Sequence, residues 1–463
     1  VRPTTTGTTR QWVADRLGVR VEGDPGVDGL TVGDLVGLAL RRNPRRAHLL
    51  VSRVLGKHVP TDPRLVRAAG LRLGARVAAV LGVPDTPGAD PATWRAALDS
   101  EPVAAAAVLA GARRAPARPD AVVLGYAETA TGLGQTVADA LGCAGLHSTR
   151  RDVPGAPDWA GFEEEHSHAT GHRLLPTDPA VRAALADPAA PLVLVDDELS
   201  TGRTVVNTLR AVHALAPHRH YVVAGLVDLR SPADRARLDD LAAELSTRID
   251  VVALADGRVE LPEDVLVRAA ELTASVEPVV PAPATARATA GEVEPVRVDW
   301  PAGLPTTARF GTAPGHGERV ASADLVRHLL PGLTPGGDVL VLGSEELLHA
   351  PLAVATQLAE RFAGTVRFSS TTRSPVLAVD DPGYAVRSSV AFGSHDPAQD
   401  GPGVRYAHNV SRPTPWDAVV LVVDSASDPA ALRAPDGVLA ALAPHTARLL
   451  LLTLPADSWR KPA

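Results

Sequence analysis

The sequence predicts an α/β fold: a parallel sheet flanked by helices, built once in the first half of the chain and again, in reduced form, in the second. Three observations predict it. Between Asp120 and Leu254 short apolar runs alternate with helical stretches, the grammar of strand–helix–strand units. One run, Leu192-Val193-Leu194-Val195, is apolar throughout, as a strand buried on both faces must be, and it stops at two acids and a small-residue loop. The same order of strands and helices returns after residue 297. With 463 residues and 45% hydrophobic content, the chain can form two or three cores.

In chain order, residues 1–27 read as a flexible lead-in and 28–118 as a helical cap over the core. Thr31 offers a capped helix start, Arg41-Arg42-Asn43-Pro44-Arg45-Arg46 interrupts the pattern, and Pro91–Gly111 is an alanine-rich helical zone. The core domain is expected over 119–275. Its strands are Ala121–Gly125, Gly145–Arg150, Leu192–Val195 and Tyr221–Val227, with Ile249–Leu254 at an edge and helices over Gly132–Leu141 and Thr204–Leu215. Residues 276–296, rich in Pro, Ala and Val without periodicity, read as a linker. In the last domain, 297–463, the run Asp338–Glu346 parallels Ala121–Glu128, and Phe368–Ser374 echoes Leu146–Arg151. Ala418–Ser425 stands where Leu192–Asp197 stood, without the second acid or the small-residue loop, so this domain is expected to be a degenerate copy of the first.

The chemistry is concentrated in Leu192 to Thr204. Asp196 and Asp197 fall at the carboxyl end of a strand, where open α/β sheets bind ligands, and they can accept hydrogen bonds from the two hydroxyls of a ribose. Ser200, Thr201, Gly202, Arg203 and Thr204 form a tight turn into a helix. Its backbone N–H groups and the positive end of the helix dipole suit a phosphate. A phosphate cradle beside a diol acceptor reads a ribose 5-phosphate. Glu198 is a third acid, either anchoring a Mg²⁺–water network or facing solvent.

That run resembles the motif with which type I phosphoribosyltransferases bind 5-phosphoribosyl 1-pyrophosphate (PRPP): four hydrophobic residues, two acids, and a loop ending here in Thr201-Gly202-Arg203-Thr204. In the second half, Thr372-Arg373-Ser374-Pro375 resembles the signature of the TRSP domain. That domain lies C-terminal to a phosphoribosyltransferase domain in bacterial proteins of tellurium-resistance and stress-response clusters. Ser52–Pro60, Gly125–Gly134 and Phe162–His168 look like the same family. The resemblance implies a cytoplasmic pentosyltransferase that uses PRPP and Mg²⁺, acts on an unidentified small-molecule acceptor in nucleotide-like metabolism, and forms a homodimer. It also implies that the loop after the first core strand, Tyr126-Ala127-Glu128-Thr129, grips the pyrophosphate, and that the loop after the second strand closes over the site as a lid.

Around this core the residues suggest further roles. Arg150 and Arg151, ending the second strand, can pair with the departing pyrophosphate and join Asp196 and Asp197 as the catalytic set. Lys57 and Lys461 are the only lysines among 46 basic residues, and Lys57 lies within the folded body, where a compact charge suits an anion. Within the lid, Glu165 and His166 are candidates for proton transfer. Arg373 is a candidate for a second anion site. No protein cage for a metal is expected: Mg²⁺ keeps its waters and bridges pyrophosphate and ribose, with Asp196 and Asp197 as the nearest carboxylates.

A formal charge of −7 argues against a nucleic-acid groove, and no apolar run reaches membrane-spanning length. A second reading, a regulator that binds PRPP or a nucleotide without turnover, lacks the basic DNA-binding motif it would need. A third makes the C-terminal half an interaction module.

Overall fold

A computed structural model describes residues 12–459, apart from 27, 42–46, 118, 164–170 and 277–292. The first half is built on a five-stranded parallel sheet. In chain order its strands are β1 (Val122–Gly125), β2 (Ala144–His147), β3 (Leu192–Leu199), β4 (His220–Asp228) and β5 (Arg248–Asp256). Across the sheet they run β5-β4-β3-β1-β2, every pairing parallel. The central position of β3 explains its composition: Leu192 to Val195 are all fully buried.

Helix α1 (Pro63–Val80) packs against α2 (Thr131–Leu141) and reaches β4 and β5. One hydrophobic core therefore runs continuously from Leu30 to Ala255, and the helical cap shares it with the sheet. Three features depart from expectation. The lead-in is folded from Trp12: it forms a helix, Trp12–Leu17, and a strand, Arg20–Glu22, antiparallel to Arg258–Glu260. The cap contains an antiparallel strand pair, Val36–Leu40 with His48–Ser52, whose apolar residues pack into a core with Trp12, Tyr384 and Val386. The last four residues of the linker, Val293–Val296, are an edge strand of the second sheet.

That second sheet has strands β6 (Val293–Val296), β7 (Asp338–Gly343), β8 (Thr365–Ser370), β9 (Ala418–Asp424) and β10 (Leu449–Leu454), ordered β6-β10-β9-β7-β8 and again parallel. Without its edge strand the order is β10-β9-β7-β8, the same permutation as β4-β3-β1-β2. In each half an antiparallel hairpin is inserted between the second and third of these strands: Ala160–Glu163 with Gly171–Leu174, and Ser389–Gly393 with Val404–His408. Shared order, direction and insertion make the second domain a reduced copy of the first. Among the described residues no helix is long and apolar enough to cross a membrane.

The halves meet through charge as well as packing. Thr131 Oγ1 donates to Glu346 O (2.9 Å), and His349 Nε2 lies 2.8 Å from Asp139 Oδ2. Buried Glu346 accepts from Thr149 Oγ1 (2.7 Å) and Arg150 N–H (2.8 Å) and pairs with Arg309 (3.2 Å). Burial alone would raise its pKa. Arg309, with help from His147 and the two hydrogen bonds, reverses that and holds the carboxyl at about 2, below its ordinary 4.5. A depressed folded pKa stabilises the fold fully above the unfolded value, and the gain is lost as pH falls through the folded one. Acid melting is therefore expected to steepen between about pH 4.5 and pH 2, and Glu346→Gln to flatten that limb while lowering stability at neutral pH. Circular dichroism melts against pH read this directly; superimposable profiles would remove Glu346 from the acid response.

Candidate active site

The site forms where β3 and β1 end side by side, joined at Gly125↔Val195 and by Tyr126 N–H donating to Val195 O (3.1 Å). β3 runs further than its apolar run predicts, because pairing continues to Glu198↔Val227 and Leu199↔Asp228. Strand alternation then turns Asp197 to the opposite side from Asp196 and Glu198. All three acids are half-buried. Asp196 Oδ1 accepts from the Asp197 N–H (2.9 Å), and its charge, adding to burial, keeps the Tyr126 phenol protonated. The Asp197 carboxylate itself meets no hydrogen-bond or ion-pair partner among the described residues.

Beyond β3 the chain turns at Gly202 into α3 (Arg203–Leu215). Gly202 sits at φ +70°, a left-handed conformation that L side chains rarely adopt, and a Cβ there would meet Arg230 Cδ at 3.3 Å. Arg230 is buried and doubly bonded to Asp228 (3.0 and 2.9 Å), a floor under the turn that the sequence did not reveal. The first backbone bond of α3 runs from Val206 N–H to Gly202 O (3.0 Å), which leaves the helix's first amides without helical partners; Arg203 N–H donates to Thr201 Oγ1 (3.5 Å). Ser200 and Thr201 precede this turn, and Arg203 and Thr204 open the helix after it. Thr201 is restrained through its carbonyl by Arg237 (3.5 Å).

Tyr126 to Thr129 form the adjoining loop, whose Ala127–Glu128 peptide is cis. Ala127 N–H donates to Ser148 Oγ (2.9 Å), Ser148 Oγ lies 2.9 Å from His172 Nδ1, and His172 Nε2 lies 3.2 Å from Arg150 Nη2. His172 also stacks on Phe162 (4.7 Å). Arg150 is thus tied to the loop through a chain that only tertiary contact reveals. Glu128 is half-buried, with its Oε1 buried and without a hydrogen-bond partner among the described residues. Burial holds its carboxyl above the usual carboxylate range, against the pull of Lys57, while Glu345 pushes it further up.

Lys57 reaches this loop, its Nζ donating to Thr129 Oγ1 (2.5 Å). Arg373 reaches it from the other half: its Nε lies 4.0 Å from Glu128 Oε2 while pairing with Glu345 (2.8 Å), and its Nη2 pairs with Asp400 (3.1 Å). Gly132 lets the second half approach closely, since a Cβ there would stand 2.9 Å from Leu348 Cβ. Glu165 and His166 lie outside the described residues.

Arg151 departs from its expected role. It is buried, with its guanidinium paired to Asp396, Asp400 (3.2 Å) and Asp424 (3.4 Å), all from the second half. Asp424 ends β9, the counterpart of β3, so Arg151 fills the place where the copied sheet would hold a ligand. The space left there is about 10 Å³, no more than a water's worth. A guanidinium neutralised by three carboxylates does not serve pyrophosphate at the first site. The described residues also bring Glu345, His395 and Asp400 within metal-ligand reach of one another, but Arg151, Arg373 and Arg405 already neutralise the two carboxylates.

A family model described as phosphoribosyl transferase matches residues 35–258. A second, described as the TRSP domain C-terminal to that transferase, matches 306–442. No curated protein matches the chain. Among solved structures it is similar to adenine phosphoribosyltransferase from Rhodothermus marinus, at 18% identity over 29% of this chain and 68% of that one, with a TM-score of 0.20. The Giardia lamblia enzyme complexed with 9-deazaadenine matches at 17% identity over 28% of this chain and 68% of its own, TM-score 0.19. The Trypanosoma brucei enzyme in complex with AMP, pyrophosphate and ribose-5-phosphate matches at 16% identity over 29% and 56%, TM-score 0.20. Two family matches in that order, one on each of the two sheets, make the chain a member of the phosphoribosyl transferase family that carries a C-terminal TRSP domain.

Proposed function

We propose that the first half transfers the ribose 5-phosphate unit of PRPP to an acceptor base, amine or hydroxyl and releases pyrophosphate, with Mg²⁺ bound. The observation that carries this reading is an Asp197 carboxylate without a partner among the described residues, five positions before the left-handed Gly202 turn; it is read as a diol acceptor ahead of a phosphate cradle. In the reaction the bond from C1 to the pyrophosphate oxygen breaks, and its electron pair leaves with pyrophosphate. The acceptor's lone pair makes the new bond to C1, and any proton on the acceptor is released. Positive charge develops on the ribose ring as in glycoside cleavage. Asp197 holds a ribose hydroxyl and stabilises that charge, and Asp196, on the other side of β3, steadies the Asp197 backbone through its N–H (2.9 Å).

The turn from Ser200 to Thr204 grips the 5-phosphate. Lys57, Arg150 and the backbone of Tyr126 to Thr129 receive the pyrophosphate, and Arg373 steadies Glu128 from the second half. Glu128 Oε1 and Asp197, which meet no partner among the described residues, would help hold a Mg²⁺ ion through its waters. When bound, that ion neutralises charge on the leaving group. The product is read as a nucleotide-like metabolite of stress or tellurium resistance.

Calorimetry of PRPP with Mg²⁺ tests the reading. Micromolar binding is expected, followed by pyrophosphate release once the acceptor is supplied; no binding would assign the loop to another phosphorylated ligand. Lys57→Gln is expected to raise KM for PRPP about 10-fold, the loss of roughly one charge-assisted hydrogen bond. An unchanged KM would leave Lys57 as a brace for Thr129 alone.

A further inference from the structure

A second cavity lies where the cap meets the C-terminal half. It measures about 330 Å³ and is lined by apolar Leu38, Val51, Val59 and Leu98 from the first half and by Arg367, Tyr384 and Ala385 from the second. None of the residues assigned to phosphoribosyl transfer lines it. Its volume falls within the range of small-molecule sites, ~300–1,000 Å³.

Arg367 decides what the cavity takes. It lies on β8, one residue before the fully packed Phe368. Among the described residues its guanidinium has no hydrogen-bond or ion-pair partner. The nearest compensating acid, Asp62, is already engaged: Arg64 takes both its oxygens (3.0 and 2.7 Å), and Asp62 Oδ1 also caps the helix at Arg64 N–H (3.0 Å). Burial pulls the Arg367 pKa down, with only Asp62 and Asp338 opposing, so the cation is poorly compensated where it stands. The cavity's other arginine, Arg53, is tied to Asp34 O (2.8 Å) and Leu98 O (2.7 Å). A partly buried cation without a counter-ion is costly, and a planar carboxylate matches a guanidinium with two parallel hydrogen bonds. Leu38, Val51, Val59, Leu65 and Leu98 give the cavity an apolar side, while Thr61, Ser100 and the engaged Asp62 add polar groups to its wall.

We propose that this cavity binds a small organic carboxylate with a compact apolar body, a branched aliphatic chain or a single ring, its carboxylate paired with Arg367. Such a ligand clamps the cap to the C-terminal half, since each half supplies part of the wall.

Benzoate and its neutral isostere benzamide are the probes, titrated into the full chain by ligand-observed NMR. Benzoate is expected to bind with a Kd of about 1 mM or tighter, and benzamide at least about 10-fold more weakly. Arg367→Gln should abolish the difference between the two. Ala385→Leu, which keeps Arg367 and narrows the cavity, should weaken benzoate by about 10-fold even if Arg367→Gln misfolds. Saturating PRPP with Mg²⁺ should leave benzoate binding unchanged. The proposal is overturned if benzoate fails to saturate by about 10 mM, if benzamide binds as well as benzoate, if Ala385→Leu binds benzoate like the wild type, or if PRPP displaces it.

Discussion

Asp197→Asn is expected to lower kcat/KM for phosphoribosyl transfer by about 10- to 150-fold, the loss of one charge-assisted hydrogen bond of ~1.5–3 kcal/mol. The same substitution should move the melting midpoint by no more than about 2 °C. Both halves of this expectation come from one fact: the Asp197 carboxylate sits half-buried with no protein partner among the described residues. Among the described residues nothing pairs with its charge, so under the proposed function its effect falls on ligand. Asparagine keeps the shape and one acceptor oxygen, which isolates the charge. Pyrophosphate release at subsaturating PRPP and calorimetric titration of the same variant measure the two parts. A wild-type rate would transfer the ribose contact to Asp196 and Glu198, which project to the other side of β3. A large loss of stability would make Asp197 a structural residue and remove the argument for its role.

The part of this site that the sequence disclosed is local. Leu192–Val195, the acids after it and Thr201–Thr204 are contiguous, so the period of the strand, the turn residues and the helix start all point to one place. The duplication was legible for the same reason, since each strand of the second half is a short apolar run like its counterpart. The parts that stayed hidden depend on partners far away in the chain. The extension of β3 to Leu199 is set by pairing with β4, and three acids in succession gave no strand signal of their own. Val293–Val296 becomes a strand only because β10 offers it an edge. The chain from Ala127 N–H through Ser148 and His172 to Arg150 joins a loop, a strand end and a hairpin. Arg150 and Arg151 are neighbours in sequence with opposite fates, one tied through His172 and Ser148 to the Tyr126–Thr129 loop and the other turned into the second half. No pattern in one chain segment separates them, because what separates them is the set of acids 245 and more residues away.

Arg151→Ala tests that division, and its effect should be on stability. Removing the guanidinium leaves Asp396, Asp400 and Asp424 buried without it. Breaking a buried ion pair from one side costs about 3–5 kcal/mol, which for domains of this size lowers the melting midpoint on the order of 10 °C. The deficit should depend on pH. In the intact protein Asp400 already has its carboxyl raised, by burial first and then by Glu345, against the opposing pull of Arg151. Without Arg151 it rises further. A raised folded pKa means that stability is intact below the unfolded value, about 3.9, and is lost as pH climbs through the folded one. The variant should therefore approach the wild type in acid and fall away toward neutral pH. At temperatures where it remains folded, its KM for PRPP should stay within about 2-fold of the wild type, because the charge it removes was spent inside the second half. A pyrophosphate ligand would behave in the opposite way, with KM or kcat altered and stability preserved. The two patterns cannot be confused, so this one variant decides whether the copied site is closed by an arginine of the first half or whether Arg151 serves the reaction.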